Sequence, residues 1–345
     1  MAYTTINKST AHFNSKIYTG TGSTNAQTNV GFQPDLLWNK SRTTADNHLL
    51  YDAIRGITKT VSPDLNSAES TRDSAFLTSI DSDGFTVGSN GNINASGQSF
   101  VMWNWKANGA GSANTSGSIN STVSVNQSAG FSIVKWTGTQ SLGTVAHGLN
   151  ATPDVILIKN VSASENWIMY HVGLGGNTKN LYLDATNAVD TRTDTFNSTS
   201  PTSSLFTVNT ATGTNKSGST MMAYCFAGKT GYSKFGSYTG NGNADGTFVY
   251  TGFKPAFVIT KNSSISDWWG MFDNKRLGYN SSDSPRILFP NTNDVESNSK
   301  ILDFTSNGFK IRSSNGAVNG SGNTVIYMAF GQSLVGSNNV PCTAR

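Results

Sequence analysis

Charge is scarce in this chain. Lysine, arginine, aspartate and glutamate make up 13% of its 345 residues, about half the share usual in soluble domains. Glutamate is rarer still, occurring only as Glu69, Glu165 and Glu296. So few helix-favouring residues, set against abundant Thr, Val and aromatics, count against a helical bundle and favour pleated sheet. Cysteine is nearly absent. Cys225 and Cys342 give neither a disulfide framework nor a metal-ligand spacing, and Cys225, inside an apolar run, reads as a small core residue. No apolar run nears the roughly 18 residues of a membrane span, so no membrane insertion is expected. The opening Met1-Ala-Tyr-Thr-Thr-Ile-Asn-Lys-Ser9 lacks the apolar centre of a signal peptide, so export by that route is not expected either. The net charge of +4 is scattered. Without a clustered basic footprint, nucleic acid is not an expected partner.

What is present belongs to a globular chain. Aromatics at 10% exclude disorder, and 35 glycines with many Asn, Ser and Thr supply turns. Self-similarity is the main signal. Three apolar runs follow a proline: Pro34-Asp-Leu-Leu-Trp-Asn-Lys40, Pro153-Asp-Val-Ile-Leu-Ile-Lys159 and Pro255-Ala-Phe-Val-Ile-Thr-Lys261. An aromatic stands seventeen residues after each proline, at Tyr51, Tyr170 and Phe272. Upstream lie Tyr18-Thr-Gly20, Trp136-Thr-Gly138 and Tyr238-Thr-Gly240; downstream come Phe85, Phe206 and Phe309. An Asn-x-Ser-Gly turn signal follows at Asn94, Asn215 and Asn319, and eight residues beyond its glycine an aromatic, Trp105, Phe226 or Phe330, closes another apolar run.

These landmarks predict an all-β chain of three tandem repeats of a β-sandwich or jelly-roll-like unit. The near-continuous apolar runs suit strands covered on both faces. Proline suits a strand start, and the terminal lysine is expected to lay its stem on the sheet and keep its ammonium in water. The expected organisation is an N-terminal arm over 1–16, repeats over 17–109, 130–232 and 233–332, a Gly/Ser-rich connector over 110–129, and a C-terminal tail over 333–345. Residues 118–129 read either as an extra strand or as part of the connector. The arm and tail are expected either to dock on a neighbouring subunit or to fray.

Features shared by all three copies read as architecture, so copy-specific residues are the candidates for function. No catalytic signature emerges. There is no Gly-x-Ser-x-Gly elbow. Asp81-Ser-Asp83-Gly84 lacks the later glutamate of a calcium loop, and Thr19-Gly-Thr-Gly22 lacks the lysine of a phosphate loop. The expectation is therefore a non-enzyme without cofactor, catalytic residue or metal. Trp268 and Trp269 precede Phe272, where the second copy has a single Trp167 and the first has Leu49-Leu50. Strand alternation should turn one tryptophan inward and the other outward, where it could stack on a sugar or a partner. His171 replaces Asp52 and Asp273, each directly after the repeat aromatic. Asp52 with Arg55, and Asp273 with Arg276, read as local ion pairs framing a turn, ahead of a polar rim for a glycan or partner. The candidate contact residues are thus Trp268, Trp269, Trp167, His171, Asp52, Asp273 and Arg276.

Longer segments carry a family resemblance. Tyr238-Thr-Gly-Asn-Gly-Asn-Ala-Asp-Gly246, Gly252-Phe-Lys-Pro255, Ala223-Tyr-Cys-Phe-Ala-Gly-Lys-Thr-Gly-Tyr232 and Tyr327-Met-Ala-Phe-Gly-Gln-Ser-Leu-Val-Gly336 resemble tail-fibre-like virion structural proteins of marine bacteriophages, of the kind infecting cyanobacteria and marine heterotrophs. The resemblance covers nearly the whole chain. It implies membership of the virion after synthesis in the host bacterial cytoplasm, and supplies no catalytic residue or ligand. The leading expectation is a tail fibre or receptor-binding protein acting in host adhesion. The alternatives are a capsid decoration or other virion accessory protein and, behind these, a polysaccharide depolymerase. Expected partners are other virion proteins, copies of itself in a homo-oligomer such as a trimer, and a host surface glycan or protein.

Overall fold

The computed structural model describes residues 4–276, 280 and 286–333. The fold is all-β, built of antiparallel sheets, with three single-turn α-helices and two short 3₁₀ turns among the described residues. One four-strand arrangement occurs three times. In the first unit an opening strand (Phe13–Thr19) pairs with a closing strand (Ser99–Trp105), then come the proline strand (Leu36–Ser41) and a short strand (Leu49–Asp52). The second unit has Phe131–Thr137, Thr220–Phe226, Val155–Asn160 and Ile168–His171 in that same spatial order. The third has Ser233–Thr239, Thr324–Gly331, Pro255–Asn262 and Trp269–Asp273. A smaller sheet covers one face of each, such as Gly143–Ala146 paired with Leu205–Val208 in the second unit. Each unit is therefore a two-layer sandwich.

Alternation along the strands explains the continuous apolar runs. In the first unit Leu37, Tyr51, Phe100 and Met102 face the smaller sheet, where Phe85 completes a private core. Their neighbours Leu36, Trp38, Leu50, Val101, Trp103 and Trp105 face the other way, into a core that also holds Phe131, Leu157 and Phe226 of the second unit and Phe257, Met328 and Phe330 of the third. The three main sheets thus present their second faces to one another. The closing aromatics meet there: Trp105 lies 6.5 Å from Phe226 and 5.8 Å from Phe330, and Phe226 lies 5.8 Å from Phe330, between ring centroids. An enclosed apolar cavity of only 30 Å³ remains among them, about the space of one water molecule and too apolar to hold one well.

The Asn-x-Ser-Gly signals are not free turns. Each asparagine ends a one-turn helix, Gly91–Asn94, Thr212–Asn215 or Gly316–Asn319, and is fully buried. Its Oδ1 accepts the backbone N–H just after the aromatic-Thr-Gly step, from Thr21, Thr139 and Asn241 at 2.9, 3.0 and 3.0 Å. Two landmarks far apart in sequence are one latch. It also explains the glycine of that step: a Cβ at Gly20, Gly138 or Gly240 would stand 2.1–2.3 Å from a carbonyl oxygen of the residue after the asparagine.

The expected boundaries need correction where the chain is more tightly integrated. Residues 4–12 are no free arm: Ile6 and Phe13 enter the shared core, and Ser9 Oγ donates to the Gln332 carbonyl at 3.2 Å. The connector forms strands, Ser112–Asn114 and Ser121–Asn126, that extend the second unit's main sheet beyond its opening strand. The alternative of an extra strand within 118–129 is the one realised. The tail over 333–345 lies outside the described residues apart from Ser333, whose Oγ meets Thr10.

Candidate functional site

The residues singled out in the sequence converge on two kinds of place: the seams between units and one open groove. Three sets of seam contacts close a ring. Beside the lysine strand end, the carbonyls of Arg42, Val161 and Ser263 accept backbone N–H groups from the next unit's loop, from Glu296, Glu69 and Val189 respectively, at 2.8–2.9 Å. Next, Trp167 Nε1 donates to the Ser62 and Leu65 carbonyls of the first unit, and Trp269 Nε1 to the Tyr182 and Ala185 carbonyls of the second. The equivalent residue of the first unit is His48, whose Nε2 meets the Phe289 and Thr292 carbonyls of the third at 3.0 and 3.2 Å. Register settles that equivalence, because Leu37, Ile156 and Val258 pair with Tyr51, Tyr170 and Phe272. Leu49-Leu50 therefore match Ile168-Met169, and the first unit's match to the double tryptophan is Asn47-His48, two places earlier than the sequence suggested.

The third set involves the residues after the repeat aromatic. Asp52 accepts Tyr224 Oη of the second unit at 2.8 Å, and Asp273 accepts Trp103 Nε1 of the first at 2.9 Å. The Asp52–Arg55 and Asp273–Arg276 pairs exist, each at 2.6 Å, and their other carboxylate oxygen accepts backbone N–H groups of the following turn. They frame a turn, as expected, but are buried at seams and are not a surface rim. His171 does the same work with different chemistry. The residue equivalent to Trp103 and Tyr224, two places before the closing aromatic, is Met328, with no N–H or O–H to satisfy a carboxylate. The imidazole Nδ1 accepts the Gly173 N–H at 3.0 Å, which leaves the proton on Nε2 to donate to the Tyr327 carbonyl at 3.1 Å. Burial pushes its pKa down to about 4 and keeps it neutral.

Six of the seven candidates, Trp269, Trp167, His171, Asp52, Asp273 and Arg276, are thus buried. The first five bond across seams, while Arg276 bonds Asp273, Met271 and Glu296 of its own unit and lies 5.7 Å over the Trp103 ring of the first. That corrects the expectation that they contact an external ligand. The strand-end lysines also depart from expectation. Lys40, Lys159 and Lys261 are fully buried, and each ammonium donates to two or more backbone carbonyls; burial pushes each pKa down to about 8. Sequence reasoning missed the glutamates. Glu296 is held by Arg42 at 2.8 Å, Arg286 at 3.0 Å and Arg276 at 3.3 Å, and these partners keep its carboxyl below the usual range against the opposing effect of burial. Glu69 and Glu165 lie at the seam of units one and two, where their backbone N–H groups bond the Val161 and Asn66 carbonyls. Their rarity was the available signal.

Trp268 is the exception. Its counterparts are Asn47 and Asn166, so it is specific to the third copy. It remains half-buried, edge-to-face with Phe289 at 5.4 Å, while Trp269 is wholly inside. One tryptophan in and one partly out matches the alternation argument. Trp268 lines an open groove of about 480 Å³ with Asp267, Asp294, Asn315 and, from the second unit, Thr186. Seam bonds hold the walls: Asp267 N–H donates to the Thr186 carbonyl at 2.8 Å, and the Phe289 and Thr292 carbonyls are fixed by His48. Among the described residues no group of three or more His, Cys, Asp or Glu could hold a metal ion.

The chain belongs to the family defined by a domain of unknown function, DUF7483, whose model matches residues 8–333 and so runs through all three units. No curated protein and no solved structure matches it.

Proposed function

We propose that this member of the DUF7483 family is a bacteriophage virion structural protein that acts by adhesion, without catalysis, as a tail-fibre or receptor-binding component. One observation carries the adhesive part of this reading. Phe13, where the first sheet begins, pairs with Trp105, and Gly331, where the last sheet ends, pairs with Pro255, so both lie at the end of the sheets marked by the closing aromatics. Trp269 pairs with Lys261 at the opposite end, which puts the Trp268 groove there. A body joined to a particle through its chain ends would present that groove outward. The shared core and seam bonds tie the three units into one body, and the resemblance of the repeat motifs to tail-fibre-like proteins supports the virion setting.

Partners are then other virion proteins at the chain-end side, copies of this chain, and a host surface molecule at the groove. Gold labelling of purified particles of a phage carrying this gene tests the reading. Label at tail tips is the expected result. Label over the whole shell would favour capsid decoration, and absence from the particle would overturn the reading. Release of soluble sugar from host polysaccharide by the purified chain would overturn its non-catalytic part.

A further inference from the structure

We infer that the Trp268 groove is a carbohydrate site selective for neutral sugars, a step that rests on the adhesive reading and names its ligand. The lining has the two components that a sugar needs, an aromatic plate and short polar groups. Trp268 offers a partly open indole held in place by Phe289, and the apolar face of a pyranose ring stacks on such a surface. Around it stand short polar groups with free hydrogen-bonding capacity. Asp267 Oδ1 accepts the Trp268 N–H, and Asp294 Oδ2 accepts the Thr292 hydroxyl, leaving one oxygen of each carboxylate without a partner among the described residues. Asn315 Oδ1 caps the following helix through the Ala317 N–H at 2.8 Å, leaving its amide nitrogen as a donor. Acceptors and a donor around an aromatic plate suit a ring of hydroxyls, each both donor and acceptor.

Charge decides the class of sugar. Two carboxylates and no lysine, arginine or histidine line the groove. Lys300, next in sequence to the lining residues Ser299 and Ile301, is turned to Asp303 at 3.8 Å. Lys261 and Lys40 interact with Asp267 and Asp294 from behind the lining, but both are buried and donate to backbone carbonyls. A uronic or sialic acid would bring a third negative charge with no cation in the lining to meet it, so anionic glycans are disfavoured although the chain as a whole carries +4. The volume lies within the roughly 300–1,000 Å³ typical of small-molecule sites and admits a short oligosaccharide segment.

The experiment uses the full chain against immobilised neutral oligosaccharides (glucans, mannans, galactans) and against uronate- and sialate-bearing ones. Binding to at least one neutral class is expected, weakened at least tenfold by Trp268→Ala and only a few-fold by Trp268→Phe, which keeps an aromatic face. Asp294→Lys, at an exposed rim position, is expected to preserve the fold and to raise retention of the anionic set. Thermal melting of each variant separates lost binding from lost folding. No neutral glycan bound, equal binding by the folded Trp268→Ala variant, or preference for anionic glycans in the parent chain would each overturn the inference. Label at tail tips with no glycan binding would sink the inference alone, whereas glycan binding by a protein absent from particles would sink the virion reading alone.

Discussion

The third unit predicts how to stabilise the first. The N–H of His48 donates to Asp64 Oδ1 at 3.1 Å, and that of Trp167 to Asp184 Oδ1 at 3.0 Å; in the third unit the Trp269 N–H goes to Asn291 Oδ1 at 3.0 Å. An amide therefore already does this job once. Asp64 is buried, and burial raises its carboxyl from the ordinary 3.8 to about 6, against the lowering effects of backbone N–H donors and Lys40, with Asp184 adding to the rise. A rise of that size corresponds to at most ~3 kcal/mol. The raised value means that proton binding stabilises the fold fully below pH 3.8, and that this contribution is lost as pH rises through about 6. Asp64→Asn keeps the acceptor and removes the buried charge, but Lys40 loses a favourable neighbour, so a net gain of ~1–2 kcal/mol is expected at pH 7. With an unfolding entropy of ~2.1 cal/mol/K per residue, that gain raises Tm by roughly 1–3 °C. Calorimetry of both proteins from pH 4 to pH 7.5 is the assay. The difference should be largest at pH 7 and vanish near pH 4. A variant less stable than the parent at pH 7, or a difference independent of pH, would refute the reasoning.

Further outcomes follow from the seams and latches. His171→Asp places a carboxylate opposite Met328 without a donor and is expected to cost about 2–4 kcal/mol in urea denaturation; adding Met328→Tyr, which copies Tyr224, should recover part of it. Tyr224→Phe leaves Asp52 one donor short and should lower stability by about 1–3 kcal/mol. Asn319→Ala removes the acceptor of the Asn241 N–H and should cost a similar ~2 kcal/mol, with a matching loss of amide-exchange protection at Asn241. His48 and His171 have pKa values pushed down to about 3 and 4. The unfolded chain binds their protons first, so stability falls as pH drops below about 6.5, by up to ~1.4 kcal/mol per pH unit for each. A His171→Asn variant should show a shallower loss between pH 6 and pH 4.5, and an unchanged slope would count against the burial argument.

The sequence by itself determined the local pieces: strand type, the order of landmarks, and which runs are buried on both faces. Alternating burial and turn chemistry act over a few residues, and three copies repeat them. It named Trp268 as one of seven candidates; strand register was needed to give it Asn47 and Asn166 as counterparts and so set it apart from the shared architecture. Only the tertiary structure decided what covers the second face of each main sheet, because the apolar pattern of Phe100–Trp105 shows that a face is buried and not by what. The same holds for polar residues. Asp52, His171 and Asp273 look alike as rim positions until Tyr224, Tyr327 and Trp103 arrive from other units, more than 150 residues away in sequence. Whether a charged or aromatic side chain meets solvent or a neighbouring unit depends on long-range closure, and that closure left Trp268 alone of the seven candidates facing outward.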